Sequence, residues 1–259
     1  MSGAKRNFRA GSRLARRATA QTLRRPPLVG PILILPTVVL IAFSGGGASA
    51  VDLPGFPEVP SFFDFELPGI VTMSAALAGV SGALALAGDL EMTFMDRVLA
   101  APLWRGVPVV GRLAGSAALA VVSCVWFFTL GLIFGDWPSE GVLGLLVIAG
   151  LAALTAAAVA SVIATIAIRT RQSSVIQGFF PLMLFFLLLS SAYFPRHLLH
   201  EPARTIAGFN PLTAVADAMR DAWIGELSVG ATVGAAGAVA ALALVGAVGW
   251  GLALVGTRR

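Results

Sequence analysis

Few residues in this chain have the type and spacing for chemistry, and most of those lack a partner. Gly106-Val107-Pro108-Val109-Val110-Gly111-Arg112-Leu113 has the glycine spacing of a phosphate-binding loop. Arg112 and Leu113, however, stand where a Lys and a Ser or Thr would meet phosphate and magnesium, so the chain is not expected to bind ATP itself. His197 and His200, three apart, could share a metal on one helical turn, but no third ligand lies beside them; loop polarity is the simpler reading. Cys124 is the one cysteine and falls within an apolar run, which excludes an intrachain disulfide and a thiolate cluster from this chain alone. The interiors of the apolar runs carry no acidic or basic residue. A proton-driven transporter needs such a group, whose burial costs about 2.5–3.5 kcal/mol and is retained for function. No catalytic, cofactor or metal residue is predicted. The remaining candidates are charged, proline and aromatic residues near the ends of apolar runs, and those runs must position them.

With 57% hydrophobic and 12% charged residues among 259, and a mean hydropathy of +0.87, the composition is far from that of soluble domains. Apolar runs at 28–44, 67–88, 111–134, 141–168, 175–194 and 229–256 are each near the ~20 residues needed to cross a bilayer. The eighteen Lys and Arg residues divide unevenly among the connections. Fifteen lie in the leader (eight), after the second run (Arg97, Arg105, Arg112), after the fourth (Arg169, Arg171) and at the end (Arg258, Arg259); three lie in the alternate connections (Arg196, Arg204, Arg220). The asymmetry predicts six transmembrane helices with both termini cytoplasmic. The first outer connection, 45–66, holds Asp52, Glu58, Asp64 and Glu66 without a basic neighbour. A pI near 10.9 here reflects charge gathered on one membrane face, so the expected partner is anionic lipid and not nucleic acid. Five further runs follow the first, which favours its retention as an anchor over cleavage as an export signal. Heavy use of Ala, Gly and Arg with a single Lys suggests a GC-rich bacterial genome, and the expected location is a bacterial plasma (inner) membrane.

The fold class predicted is an all-α integral membrane protein. A cytoplasmic basic amphipathic leader (1–27) precedes a six-span domain (28–259). In the leader Phe8, Leu14, Ala15 and Ala18 form an apolar stripe among arginines, suited to a membrane surface. Pro31 and Pro36 predict a first span that neighbours must support. In the 89–106 connection Leu90, Phe94, Val98 and Leu99 recur at helical spacing, leaving Glu91, Asp96 and Arg97 toward solvent or a partner, with Pro102 as the stop. In the 195–223 segment Asn210 reads as a helix cap with Pro211 at the first helical position. Leu212, Val215, Met219 and Trp223 then share one side; Asp217, Arg220 and Asp221 argue for a surface-lying or re-entrant helix at shallow depth. Ala75-Ala76-Gly79-Ala83-Ala87 and Gly230-Gly234-Ala238 are small-residue stripes that serve either intrachain packing or a dimer seam.

Two of these segments resemble the membrane permeases of type 2 ATP-binding-cassette exporters, a group that includes bacterial drug, polyketide, glycolipid and polysaccharide efflux systems. The acidic-Arg-Leu…Pro…Arg pattern of that family's first cytoplasmic loop is matched by Asp96-Arg97-Val98-Leu99-Ala100-Ala101-Pro102-Leu103-Trp104-Arg105, where the family often has Glu in place of Asp96. Its late pattern is matched by Ser190 to Pro195, by Phe209-Asn210-Pro211-Leu212-Thr213 and by Asp217 with Arg220. The resemblance implies that 89–106 couples to a separate ATPase subunit through Asp89, Glu91, Asp96, Arg97, Pro102 and Arg105. It implies re-entrant helices within 195–223 that close the outer end, with Tyr193, Phe194, Pro195, Asn210, Pro211, Asp217, Arg220 and Trp223 as gate residues. Two ATPase subunits, which bind ATP and magnesium, and a second permease copy or paralogue are the expected partners. Phe127, Phe128, Phe179, Phe180, Phe185 and Phe186 are pathway candidates, suited to hydrophobic or amphipathic cargo if they do not merely face acyl chains. The alternative function is a passive channel or a non-transporting scaffold subunit, and a co-purifying ATPase discriminates between them.

Overall fold

A computed structural model describes residues 26–92, 104 and 106–256. Leader residues 1–25, and Phe94, Asp96, Arg97, Val98, Leu99, Pro102 and Arg105 of the 89–106 connection, lie outside the described residues. Among those described there are helices and no strands: α1 (Pro26–Gly46), α2 (Phe62–Glu91), α3 (Val107–Phe134), α4 (Gly141–Thr170), α5 (Ser173–Gln177), α6 (Phe179–Leu188), α7 (Ala203–Phe209), α8 (Pro211–Ile224) and α9 (Val229–Gly256), with 3₁₀ turns at Ala48–Asp52 and Arg196–Leu198. Four of them, α2, α3, α4 and α9, are long and apolar enough to cross a membrane, while Gly30–Gly46 and Ser173–Leu188 are shorter apolar stretches.

Helix α1 continues through both internal prolines. Pro36 has no N–H to offer the carbonyl of Ile32, and Ser74 Oγ of α2 donates to that oxygen at 2.7 Å instead. Nearby, Trp126 Nε1 donates to Thr37 Oγ1 at 2.9 Å, which ties α1 to α3.

Helix α2 is the centre of the bundle and starts earlier than the apolar run predicts. Ser61 caps it: its Oγ accepts from the Asp64 N–H at 3.1 Å and donates to the Asp64 carboxylate at 2.6 Å. The expectation that Asp64 and Glu66 belong to the outer connection is therefore corrected, because both lie in the first turns of α2 and are buried. At its other end α2 runs through Asp89 and Glu91, and Arg112 lies in the second turn of α3. Charged groups thus sit inside the long helices near both ends.

Small residues explain how α2 is enclosed. A Cβ at Gly79 would strike the Ala156 carbonyl and Val159 of α4, and one at Gly82 would strike Ser116 of α3. The first small-residue stripe is an intrachain seam. The second is not: Gly234 of α9 faces open space, and α9 packs on α4 through Gly246 and Gly249, lower in the helix.

The fifth apolar run also differs from its predicted course. Gly178 separates α5 from α6, and α6 ends at Leu188, so the continuous helix expected over 175–194 is two short pieces followed by an irregular turn. The α7–α8 hairpin occupies the place beside that turn.

Candidate functional site where α2, α6 and α8 meet

Asn210 lies between α7 and α8 and joins two helix ends. Its Oδ1 accepts from the Leu212 N–H at 3.0 Å and caps α8, with Pro211 at the first helical position as predicted. Its Nδ2 donates to the carbonyls of Phe186 at 2.6 Å and Leu189 at 3.1 Å, two acceptors that the end of α6 leaves without helical donors. One side chain therefore terminates α6 and starts α8. Beside it Pro211 and Leu212 line an apolar pocket of about 280 Å³ together with Val159, Phe179, Phe186 and Leu242.

Along α8, Leu212, Val215, Met219 and Trp223 are buried on the side that the spacing predicts. Arg220 is buried as well, among protein groups. The guanidinium finds all its partners inside. Nε donates to the Phe65 carbonyl at 3.1 Å, Nη2 to those of Ser191 at 2.9 Å and Ala192 at 3.4 Å, and Nη1 to Asp217 at 2.8 Å. The Phe65 ring lies beneath it, 4.0 Å from its centroid. Ser191 Oγ donates to the same Asp217 oxygen at 2.7 Å. Burial pulls the Arg220 pKa down and the Asp217 and Asp221 carboxylates push it back up; burial, then Asp217, raises that of Asp221, with Arg220 opposing. The arrangement is a cation holding the unwound turn after α6 against the first turns of α2. A Cβ at Gly69 would collide with the Ala192 carbonyl, so the turn also needs glycine there.

The far end of α8 is fastened through Trp223. Its Nε1 donates to Asp64 Oδ1 at 3.2 Å, the same oxygen accepts from the Asp136 N–H at 2.9 Å, and the Trp223 carbonyl accepts from the Ser139 N–H at 2.9 Å. Phe128 stacks on the indole with centroids 6.2 Å apart. Tyr193 is buried, donates to Met73 Sδ at 3.1 Å and stacks on Phe43 at 5.2 Å. Phe194 is half-exposed with its edge toward Phe43, and Pro195 is buried at the start of the Arg196–Leu198 turn. Asn210, Asp217, Arg220, Trp223 and the 191–193 turn thus form one connected site. Asp64 also belongs to it through Trp223, and residue-by-residue reading missed it; the Ser61-x-x-Asp64 capping pattern was the available signal.

The aromatic candidates do not form one wall. Phe127 is fully buried between helices, Phe128 belongs to the Trp223 stack, Phe179 and Phe186 line the pocket, and Phe185 is half-exposed. Phe180 packs against the core.

At the opposite end of α2, Asp89 accepts from Arg112 of α3 through Nε at 2.9 Å and through Nη2. Glu91 accepts from the N–H and, at 2.6 Å, the hydroxyl of Ser173 and so caps α5. Trp104 packs on Trp250 of α9 at 6.0 Å. These contacts fix both ends of the 89–106 connection to the bundle.

The family model described as ABC-2 type transporter matches residues 11–223, from the leader to the end of α8. Among curated proteins, none matches the chain. The match covers most of a chain in which four of the described helices are long and apolar enough to cross a bilayer. The chain belongs to the ABC-2 type transporter family: it is a multi-pass membrane permease, the membrane subunit of an ABC transporter, in a family that works with ABC ATPase subunits.

Proposed function

We propose that this permease exports a hydrophobic or amphipathic compound, such as a lipid, glycolipid, polyketide or drug, from the cytoplasm or inner leaflet of a bacterial plasma membrane. Two permeases, this chain with a copy or paralogue, pair with two ATPase subunits that bind ATP and magnesium and drive alternating access. In this reading the chain crosses six times, α1 and α5–α6 being the two shorter crossings, with both termini cytoplasmic. The α7–α8 hairpin enters the outer membrane layer and returns, and acts as the outer gate. Residues 89–106 dock on the ATPase.

The observation that carries this reading is the Asn210 junction. A crossing that stops at Leu188 with its last carbonyls taken by the tip of a neighbouring hairpin is a two-part element, and its parts can separate only together with that junction. Irregular backbone at membrane depth is tolerated where protein covers it, as the Arg220 contacts do here.

Reconstitution with the partner ATPase in liposomes tests the function: ATP-dependent movement of a lipid-like compound is expected, and equal movement by the permease alone would establish the channel reading instead. Replacing Asp96 and Arg97 together by Ala is expected to reduce transport and ATPase recovery while the chain still inserts. For topology, single cysteines at Glu58 and Trp137 in a Cys124→Ser background should react with an impermeant reagent added outside intact cells. A cysteine at Thr93 should not, and its labelling would overturn the six-crossing arrangement.

A further inference from the structure

Glu66 is the buried charged group that the gate network does not use. It lies fully buried in α2, two residues beyond Asp64. Asp64 receives Ser61, the Asp136 N–H and Trp223. Glu66 receives one donor, Ser44 Oγ of α1, on Oε2 at 3.2 Å; among the described residues Oε1 has none. A carboxyl oxygen shut away from water without a donor is costly unless a positive group answers it.

An aromatic group adjoins the Ser44 that donates to Glu66. Phe43, next to Ser44, stacks on Tyr193 at 5.2 Å and meets the edge of Phe194 at 6.5 Å. The Tyr193 hydroxyl is directed to Met73 Sδ and so leaves Glu66 without a donor from that side. A buried acidic oxygen one residue's reach from an aromatic group fits an organic ammonium, which is drawn to aromatic quadrupoles and pairs with a carboxylate. A hard metal ion would need six or more oxygens, and the described neighbours offer a carboxyl and one hydroxyl. The cover is thin: Phe43 and Ser44 are only partly buried, Phe194 is 43% exposed, and α1 ends at Gly45 and Gly46 with open space around both. A ligand can approach from that side by displacing the last turn of α1.

We propose that Glu66, with the rings of Phe43, Tyr193 and Phe194, binds the ammonium head of a cationic amphipathic cargo near the outer end of the permease. The assignment rests on the export reading, whose cargo it narrows. Its test is a Trp-fluorescence titration of the purified full chain in lipid nanodiscs without ATPase, using benzyltrimethylammonium and the neutral probe 3,3-dimethylbutan-1-ol. The wild type is expected to bind the ammonium at least tenfold more tightly than the neutral probe. Glu66→Gln, which retains an acceptor for Ser44, should lose that preference. Phe194→Leu, a change at an exposed ring that leaves the core intact, should weaken ammonium binding about threefold and leave the neutral probe unchanged. Equal binding of the two probes by the wild type, or an undiminished ammonium preference in both variants, would overturn the proposal. Because the titration omits the ATPase, its failure alongside intact ATP-driven export removes the Glu66 site alone, whereas probe binding without export removes the exporter reading alone.

Discussion

The two ends of α2 are both acidic and are built in opposite ways. At the Asp64 end the acids are buried, and their partners come from remote parts of the chain: Trp223 of α8, Asp136 from the α3–α4 turn and Ser44 of α1. At the Glu91 end Asp89 and Glu91 are partly or fully exposed and bond to the starts of α3 and α5. Buried networks are costly to break because each broken bond leaves an orphan in a low dielectric, whereas water can replace the exposed Glu91–Ser173 bonds and reach the part-buried Asp89. The first end therefore behaves as one unit with α8. The second can exchange partners at lower cost, as the proposed docking of 89–106 on an ATPase requires.

The largest effect expected is at Arg220. Arg220→Met removes the guanidinium while four backbone and carboxylate acceptors stay behind, so unfolding in mixed micelles should become easier by about 3–5 kcal/mol. A loss below about 1 kcal/mol would erase the contrast between the two ends. Next, Asp64→Ala should lower stability by about 2–3 kcal/mol, since it removes acceptors for Trp223 and Asp136 and the partner of the Ser61 cap. Red-shifted Trp fluorescence would report the release of Trp223. Asn210→Ala should cost about 1–2 kcal/mol, and hydrogen exchange should rise at the start of α8, at Leu212, before it rises at Trp223. The smallest effect is at the other end: Asp89→Ala should shift stability by about 1 kcal/mol or less, measured by the same unfolding assay. A loss as large as that of Arg220→Met would show that the Glu91 end is as tightly integrated as the Asp64 end.

Much of this arrangement could be read before the fold was known, and the limits have physical causes. Asn210-Pro211 marked the start of α8 because capping and proline placement are local rules, and the side it buries followed from helical spacing. The support needed at Pro36 was foreseeable, although its source in Ser74 was not. Asp64 and Glu66 looked like loop residues because hydropathy alone ends a helix at its first charge, whereas Ser61 caps α2 before them. The end of α6 was hidden because Leu187, Leu188 and Leu189 continue the apolar run, and the donor that terminates it lies more than twenty residues later, at Asn210. Burial of Arg220 depends on Phe65, 155 positions earlier, which no window of sequence can reveal.

The enclosure of α2 bears on how the chain enters the bilayer. Of the four long apolar helices it is the least apolar, and 83% of its apolar window ends up buried, against 22% for α9. Synthesis delivers α2 after α1 and before α3 and α4, so at that stage the contact of Ser74 with the Ile32 carbonyl can already form while those with α3 and α4 cannot. The helices that cover its two main flanks, α3 and α4, are completed only when the chain has reached Thr170. Throughout that interval the future centre of the bundle is its least securely inserted helix, held largely by the segment that precedes it.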